Sequence, residues 1–520
     1  MMLKKRVLQA AAVVTPFLCA IFVLMITGHG VDFSILVPAW NDETGWFSQV
    51  AAMVEYGHPL GYYGYNGTHA AVGTFGPWGI APLIPYWLFG SVFGWHVWSM
   101  ALANISFLCL AVGIFILLTK PSCRQLGWII GMYCCLNITV GYSMTAMSEG
   151  LRYSLGIVLL AILLYLPRCL RSCKEEGWRK KQYILVIVLA FVMFYAVNVY
   201  LVFALAIPAF CWIVCSHTRR FCKFRIPISV GVTLLLSFAA NYLIGLVTAP
   251  YTTSTLANMI NTFREEGLYR GMYFAADTLF HNLQTVNLFL QEKNGEVLAW
   301  FFTKYVAVTA FLIWQMIAPE RTSGRNRMSW KQIRYYAVSL YILLGFLVGY
   351  CLLYTGSGWT LCRGINTGFT IFLFYLCSCK EHKIKKIVIL LSLVSVMSTY
   401  GYYSSLTAER QTTAESLEHL EEDRERIAEV VQISPEKDRW ENTIACYGDS
   451  PASVAIPAGA GLNAMMNGGV ELRARYAFVS QKVRGRYLEM LLQNGHSVIY
   501  ENDSFLILWN NVDGGDNDEG

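Results

Sequence analysis

Long apolar stretches alternate with short polar ones over the first 406 residues, and this pattern predicts a bundle of membrane-spanning helices. The runs lie near 7–27, 97–118, 126–146, 150–166, 182–197, 200–215, 227–247, 296–318, 335–353, 365–379 and 387–404, about eleven spans in all. Residues 182–215 read as one helix would be about 51 Å long against a hydrocarbon core of roughly 30 Å, so two short spans bending near Asn198 fit better. The first run follows the basic start Met1–Arg6 with no small-residue cleavage site behind it, which predicts an anchor rather than a removed leader.

The pattern changes after residue 406. Residues 408–432 are dense in Glu and Arg with sparse apolar positions, as in a solvated helix standing off the membrane. Strands are predicted at Thr443–Tyr447 and Ala477–Ser480, an amphipathic helix near Lys482–Gln493, and a hairpin turning at Asn502-Asp503. Residues 513–520 are acidic, Gly-rich and predicted to be disordered. The expected architecture is an α-helical polytopic membrane protein. Residues 1–406 form its membrane domain, with outer loops at 28–96 and 248–295, and residues 407–512 form a small extracytoplasmic α/β domain.

Composition agrees, with 55% of residues apolar and 14% charged. With two spans in 182–215, the loops on one side carry 24 Lys and Arg, whereas the opposite loops before residue 407 carry Arg264, Arg270, Lys293 and Arg363. The positive-inside rule then makes the amino terminus cytoplasmic and the carboxyl terminus external, in a multi-pass protein of the cell membrane. The net charge of +6 divides into +16 over residues 1–406 and −10 over 407–520. The basic loops suit anionic membrane lipids, and no region combines basic and aromatic residues as a nucleic-acid surface would.

Most of the 15 cysteines fall in spans or at cytoplasmic edges, where disulfides are disfavoured. Cys362 and Cys446 are placed outside, and whether they pair is open. Cys169 with Cys173 and Cys211 with Cys215 share helix faces but lack the His or acid neighbours of a metal site. No nucleotide-binding Gly loop or Ser-His-Asp order stands out.

The chemistry concentrates in the first outer loop, which holds four acids and no Lys or Arg. Asp42-Glu43 precede apolar residues at helical spacing, Trp46, Phe47, Val50, Met53 and Val54, so both acids open a helix expected to lie on the bilayer surface. The helix dipole favours carboxylates there, and Asp42 reads either as a catalytic base or as a plain cap.

The order of a DE pair, an aromatic, an amphipathic helix, a Gly, a Tyr-rich turn, Pro-Leu, Leu-Phe-Gly and a span resembles the first outer loop of GT-C glycosyltransferases. This family includes protein O-mannosyltransferases and the aminoarabinose transferase of lipid A. Ser148-Glu149 opening the fourth span, two adjacent short spans, Arg363 ahead of a late span and a final outer domain agree with it. The resemblance implies transfer of a sugar from a polyprenyl-phosphate-linked donor to a hydroxyl of a cell-envelope glycan, lipid or protein, with inversion and with Asp42 as general base. Glu43 would orient the acceptor or help hold a divalent ion, the cofactor question being open, and Glu149 would serve a metal or the acceptor. Arg363 would meet the leaving phosphate, with Arg264 and Arg270 as second candidates and His58, His69, Tyr62 and Tyr63 as further substrate contacts. Relatives carry a Lys-Pro-Pro segment where this chain reads Phe75-Gly76-Pro77-Trp78-Gly79-Ile80-Ala81-Pro82, which moves phosphate recognition towards Arg363 or the long outer loop.

Each assignment has a plainer counterpart. Glu149 pairs with Arg152 one turn on, Arg363 snorkels to headgroups, lone loop histidines are often incidental, and aromatics gather at every membrane interface. The sequons at Asn66 and Asn502 are frequent patterns. The competing class is a lipid or glycan transporter working without bond chemistry. Transporters show paired halves and mid-membrane ionisable groups, whereas no internal repeat is found here and the acids gather at the outer surface.

Overall fold

The structure is a computed structural model that describes residues 2–57, 63–64, 79–171, 178–217, scattered positions between 235 and 246, 255–317, 330–379, 383–432, 443–448, 451–457, 461–463 and 474–510. The helices are α1 (Met2–Ile26), α2 (Asn41–Tyr56), α3 (Ile84–Phe93), α4 (Ser99–Thr119), α5 (Cys123–Cys134), α6 (Asn137–Ser143), α7 (Glu149–Arg171), α8 (Trp178–Val199) and α9 (Ala206–His217). They continue with α10 (Thr255–Glu265), α11 (Leu268–Gln284), α12 (Gly295–Ile317), α13 (Trp330–Leu353), α14 (Gly358–Ser378), α15 (Lys383–Val394), α16 (Val396–Glu415), α17 (Leu420–Val430) and α18 (Arg484–Gln493).

Among the described residues, six helices are long and apolar enough to cross a membrane, or up to eight if each of two bent pairs is one span. The described residues thus account for fewer than the eleven spans expected. The run 126–146 is broken into α5 and α6 with a 71° bend, and the run 387–404 into α15 and α16 with a 61° bend. The chain does bend close to Asn198, where α8 gives way to a tight 3-10 turn at Leu201–Leu205 before α9. The apolar parts described there, Val188–Val199 and Leu201–Ile213, are shorter than a span. Most of the run 227–247 lies outside the described residues.

Helix α14 is the axis of the bundle, packed against α5, α7, α12 and α13. Gly364 and Gly368 let α13 come close: a Cβ at Gly364 would lie 2.1 Å from the Tyr350 ring, and one at Gly368 2.5 Å from Phe346. Small residues at this four-residue spacing replace the missing hydrophobic driving force with close backbone packing.

The C-terminal unit is a six-stranded sheet in the order β1-β3-β2-β4-β6-β5, with β1 at Tyr63–Gly64, β2 at Thr443–Tyr447, β3 at Gly461–Asn463, β4 at Tyr476–Ser480, β5 at Ser497–Glu501 and β6 at Phe505–Trp509. The sequence pattern anticipates β2, β4, α18 and the β5–β6 hairpin. It misses β3 and also β1, which comes from the first loop and pairs parallel to β3. Alternation along the strands explains why both faces are apolar. Ala445, Tyr447, Ala477, Val479, Leu506 and Leu508 pack under α18, while Ile444, Cys446, Phe478, Phe505 and Ile507 join the main core.

The boundary drawn at 406/407 falls inside α16, which runs on to Glu415. That helix is not a wholly solvated one: Tyr402, Tyr403, Leu406, Thr407, Arg410 and Thr413 form a buried stripe. Cys362 and Cys446 are both free and buried, so they do not pair. Asn502 turns the hairpin, its Oδ1 accepting from the Ser504 and Phe505 amides and its Nδ2 donating to Asp423. Asn66 and the tail 513–520 lie outside the described residues.

Candidate functional site

Helix α2 forms where the apolar spacing predicts it, but its apolar face is turned into protein rather than towards lipid. Trp46, Phe47, Val50 and Met53 are buried, Phe47 stacks on Trp95 with centroids 5.3 Å apart, and the helix packs against α3 and the 451–455 turn. Its first turn sends its two acids to opposite fates.

Glu43 is fully buried. Its Oε2 accepts from the amides of Ala39 (2.7 Å) and Trp40 (3.0 Å), and its Oε1 from the amide of Ala146 (2.8 Å). Arg410, equally buried, closes on it as a fork, Nη2 to Oε1 at 2.7 Å and Nη1 to Oε2 at 2.9 Å. Both oxygens of Glu43 are taken, so it has no free lone pair facing a substrate.

Asp42 faces outward, with 42% of its side chain exposed, and its Oδ2 lies 3.8 Å from Nη2 of Arg363. Arg363 does not precede its span. It sits in the second turn of α14, which begins at Gly358 with Ser357 as its cap. Its Nε lies 3.5 Å from Glu149 Oε1, and the same oxygen meets Arg152 Nη1 at 3.2 Å. Two cations therefore share one buried carboxylate, and the half-exposed Asp42 completes a row of alternating charge.

Glu149 is placed by its surroundings. It opens α7 after a turn that Asn104 pins, with Nδ2 donating to the carbonyls of Thr145 (2.9 Å) and Met147 (2.7 Å). Tyr86 donates in turn to Asn104 Oδ1 at 2.6 Å. Glu149 Oε2, Ser148 Oγ and Arg152 Nε are buried without a hydrogen-bond partner among the described residues. In a bundle that satisfies its polar groups internally, three such atoms around one helix start mark a place for a polar ligand.

Aromatic rings flank the row. On one side Tyr200 lies under Arg152 (5.2 Å) and stacks on Tyr354, which stacks on Tyr350. On the other, Trp40, Tyr142, Trp359 and Tyr402 make consecutive ring contacts. Flat aromatic faces beside hydrogen-bonding groups suit a sugar and the isoprenoid stem of a lipid.

No family model matches the chain, and no curated protein sequence matches it. Solved structures do. ArnT from Cupriavidus metallidurans, in a crystal structure bound to undecaprenyl phosphate, aligns over 96% of this chain and 97% of its own with a TM-score of 0.53 and 11% identity. The chain shares the fold of that ArnT structure. At that identity the likeness is one of fold. Archaeal oligosaccharyltransferase AglB from Archaeoglobus fulgidus, in complex with an inhibitory peptide and a dolichol-phosphate, aligns over 96% of this chain and 75% of its own with 12% identity and a TM-score of 0.46.

Within this fold, Asp42, Glu149 and Arg363 are brought together, and Glu43 is drawn away to Arg410. Arg264 and Arg270 are exposed on α10 and α11, a helical pair with no ion pair to that row among the described residues. His58, His69 and Tyr62 lie outside the described residues, and of Tyr63 only the backbone, in β1, is described. The pairing of Glu149 with Arg152, read from the sequence as the plainer counterpart, is present, together with Arg363 on the same oxygen; the residue missed from sequence is Arg410. The signal for Arg410 was present, because the buried spacing of Tyr402, Tyr403 and Leu406 continues through it.

Glu43 and Glu149 are the sequence candidates for holding a divalent cation. Glu43 is saturated, Glu149 faces two guanidinium groups, and among the described residues no group of three or more His, Cys, Asp or Glu is placed to hold a metal.

Proposed function

We propose that this protein is a glycosyltransferase of the cell envelope. It moves a sugar from a polyprenyl-phosphate-linked donor to a hydroxyl of a glycan, lipid or protein on the outer face, with inversion. The observation that carries the reading is the row Asp42, Arg363, Glu149 and Arg152 at one end of a GT-C bundle. Asp42 is the general base: it takes the proton of the acceptor hydroxyl as that oxygen bonds to the anomeric carbon. The bond from that carbon to the phosphate oxygen breaks, and its electron pair leaves on the phosphate. Arg363 meets the growing negative charge, and Glu149 and Arg152 hold Arg363 in place. Fixed cations in a site shielded from water do this without reorganising. Arg264 and Arg270, exposed beside apolar Leu268, Tyr269, Met272 and Tyr273, contact lipid headgroups ahead of the site. No step is assigned to a metal, and Glu43 is a positioning residue rather than a second base.

A second reading, transport without bond chemistry, draws support from the two bent helix pairs and from Lys304. This residue is buried midway along α12 with Asn137 Oδ1 as its neighbour at 3.4 Å. One assay separates the readings. Purified protein in detergent is given a panel of undecaprenyl-phosphate-linked sugars and envelope extract, and free undecaprenyl phosphate is followed. The transferase reading expects release that falls about 10²- to 10⁴-fold in Asp42→Asn. Equal release by both proteins, or none while labelled lipid crosses liposomes, overturns it.

A further inference from the structure

We propose that the buried Glu43–Arg410 pair is a positioning clasp that sets the place of the general base, and that Arg410 is therefore a residue of the transfer reaction although it lies in the helix leading to the C-terminal domain. The proposal rests on the transferase reading. Its geometry stands on its own.

Asp42 has no hydrogen bond of its own among the described residues; its ion-pair contact is Arg363 at 3.8 Å. A carboxylate that must sit within hydrogen-bond reach of an acceptor needs its backbone fixed from elsewhere. Glu43, the next residue, provides this. It reaches back to the amides of Ala39 and Trp40, one half of a capping box, and so fixes the first turn of α2 against the segment before it. It also accepts from Ala146, in the turn that leads to Glu149, so both acids of the ionic row are referred to one point.

Arg410 locks that point. Besides its fork on Glu43, Nη1 donates to the carbonyl of Val37, and its guanidinium lies 5.0 Å over the Trp40 ring. Four chain segments, 37–40, 43, 146 and 410, thus converge on one buried ion pair. A buried pair gains little stability over an apolar substitute, because desolvation offsets the attraction. What it supplies is one geometry, since the planar fork satisfies both carboxylate oxygens in a single orientation. The same helix α16 continues towards the C-terminal domain, whose sheet takes β1 from the first loop and whose 451–455 turn packs on α2. The catalytic helix is accordingly held from the C-terminal side of the chain at two places, and the loop after it at a third, β1.

The test uses full-length protein in detergent and the variant Arg410→Lys, which keeps the charge and loses the fork. Three quantities are read: amide exchange of peptides covering 37–47 and 143–150, affinity for undecaprenyl phosphate alone by tryptophan fluorescence, and kcat and KM on the undecaprenyl-phosphate-sugar panel. A clasp that positions the base gives faster exchange in both peptides, affinity and KM within two-fold of the parent, and kcat lower by about 10²-fold, as a shift of about 1 Å at the base would cause. Glu43→Gln, which keeps an acceptor and loses the charge, gives the same split, so the test survives if Arg410→Lys fails to fold. Parent kcat in either variant, or kcat and affinity falling together, overturns the proposal. If the parent protein itself neither binds undecaprenyl phosphate nor releases it, the transferase reading fails. The exchange data still decide whether Arg410 fixes the first turn of α2.

Discussion

Asp42 and Arg363 face each other at 3.8 Å across the junction of α2 and α14, a contact longer than a direct charge-assisted hydrogen bond. Arg363 is thus engaged by an acid that it can give up. An anionic headgroup arriving at Arg363 competes with Asp42, and removing the acid favours the anion. Asp42→Asn is expected to bind undecaprenyl phosphate about 1.5- to 5-fold more tightly than the parent, the range a half-exposed ion pair supports. Arg363→Gln is expected to lose at least about ten-fold. Titration by tryptophan fluorescence reads both, and weaker binding in Asp42→Asn would remove the competition argument.

Glu149 neutralises two arginines at once, with a side chain only 2% exposed. Replacing it by Gln leaves Arg152 without its ion-pair partner and Arg363 with the more distant Asp42 alone, and an uncompensated buried charge costs about 3–5 kcal/mol. The double variant Glu149→Gln with Arg152→Gln relieves one of the two charges and is expected to unfold at a higher temperature than the single variant. Thermal unfolding in detergent gives the order, and a double variant less stable than the single one would refute the shared-carboxylate account.

Six of the spans, the first-loop helix and five of the C-terminal elements were legible because burial imposes a period of 3.6 or 2 on residue type. The opposite fates of Asp42 and Glu43 were not. Adjacent helical positions differ by about 100° in direction, and which of two acids points inward depends on Arg410, more than 360 positions away in the chain. Arg410 continues the stripe of Tyr402, Tyr403 and Leu406, but a charged residue at the polar end of that stripe reads as the point where burial stops unless its buried partner is known. The breaks at Cys135 and Ser395 leave little mark either, since neither Pro nor Gly interrupts the helices there. Strand β1 is two residues long and exists through its partner β3, so no local period announces it.

Asn104 is the support under Glu149. Its amide donates to Thr145 and Met147, its oxygen accepts from Tyr86, and Gly150 lies so near that a Cβ there would come within 2.6 Å of Asn104. Asn104→Ala strands two carbonyls and a tyrosine hydroxyl in the bundle and is expected to destabilise the protein by about 3 kcal/mol. Gly150→Ala pushes on the same contact from the other side and is expected to lower activity as well. A melting temperature and turnover equal to the parent in both variants would show that the start of α7 is held by something other than Asn104.

His496 gives the C-terminal domain an acid limit. It is 3% exposed, and its Nε2 lies 3.2 Å from the carbonyl of Ala474. Burial pushes its pKa below the ordinary histidine value of 6.5, with hydrogen bonding to Ala474 and Leu491 opposing the shift in part. The folded state therefore prefers the neutral ring. Its contribution is complete above about pH 6.5 and is lost as pH falls from there towards the lower folded pKa, because the unfolded chain takes up the proton first. The protection of the β4, β5 and β6 amides, that is, their exchange corrected for the intrinsic pH dependence, is expected to fall from pH 7.5 to 5.5 more in the parent than in His496→Gln, which has no proton to take up. If protection falls by the same factor in the two proteins, the acid sensitivity belongs to other groups, and the buried imidazole is not its cause.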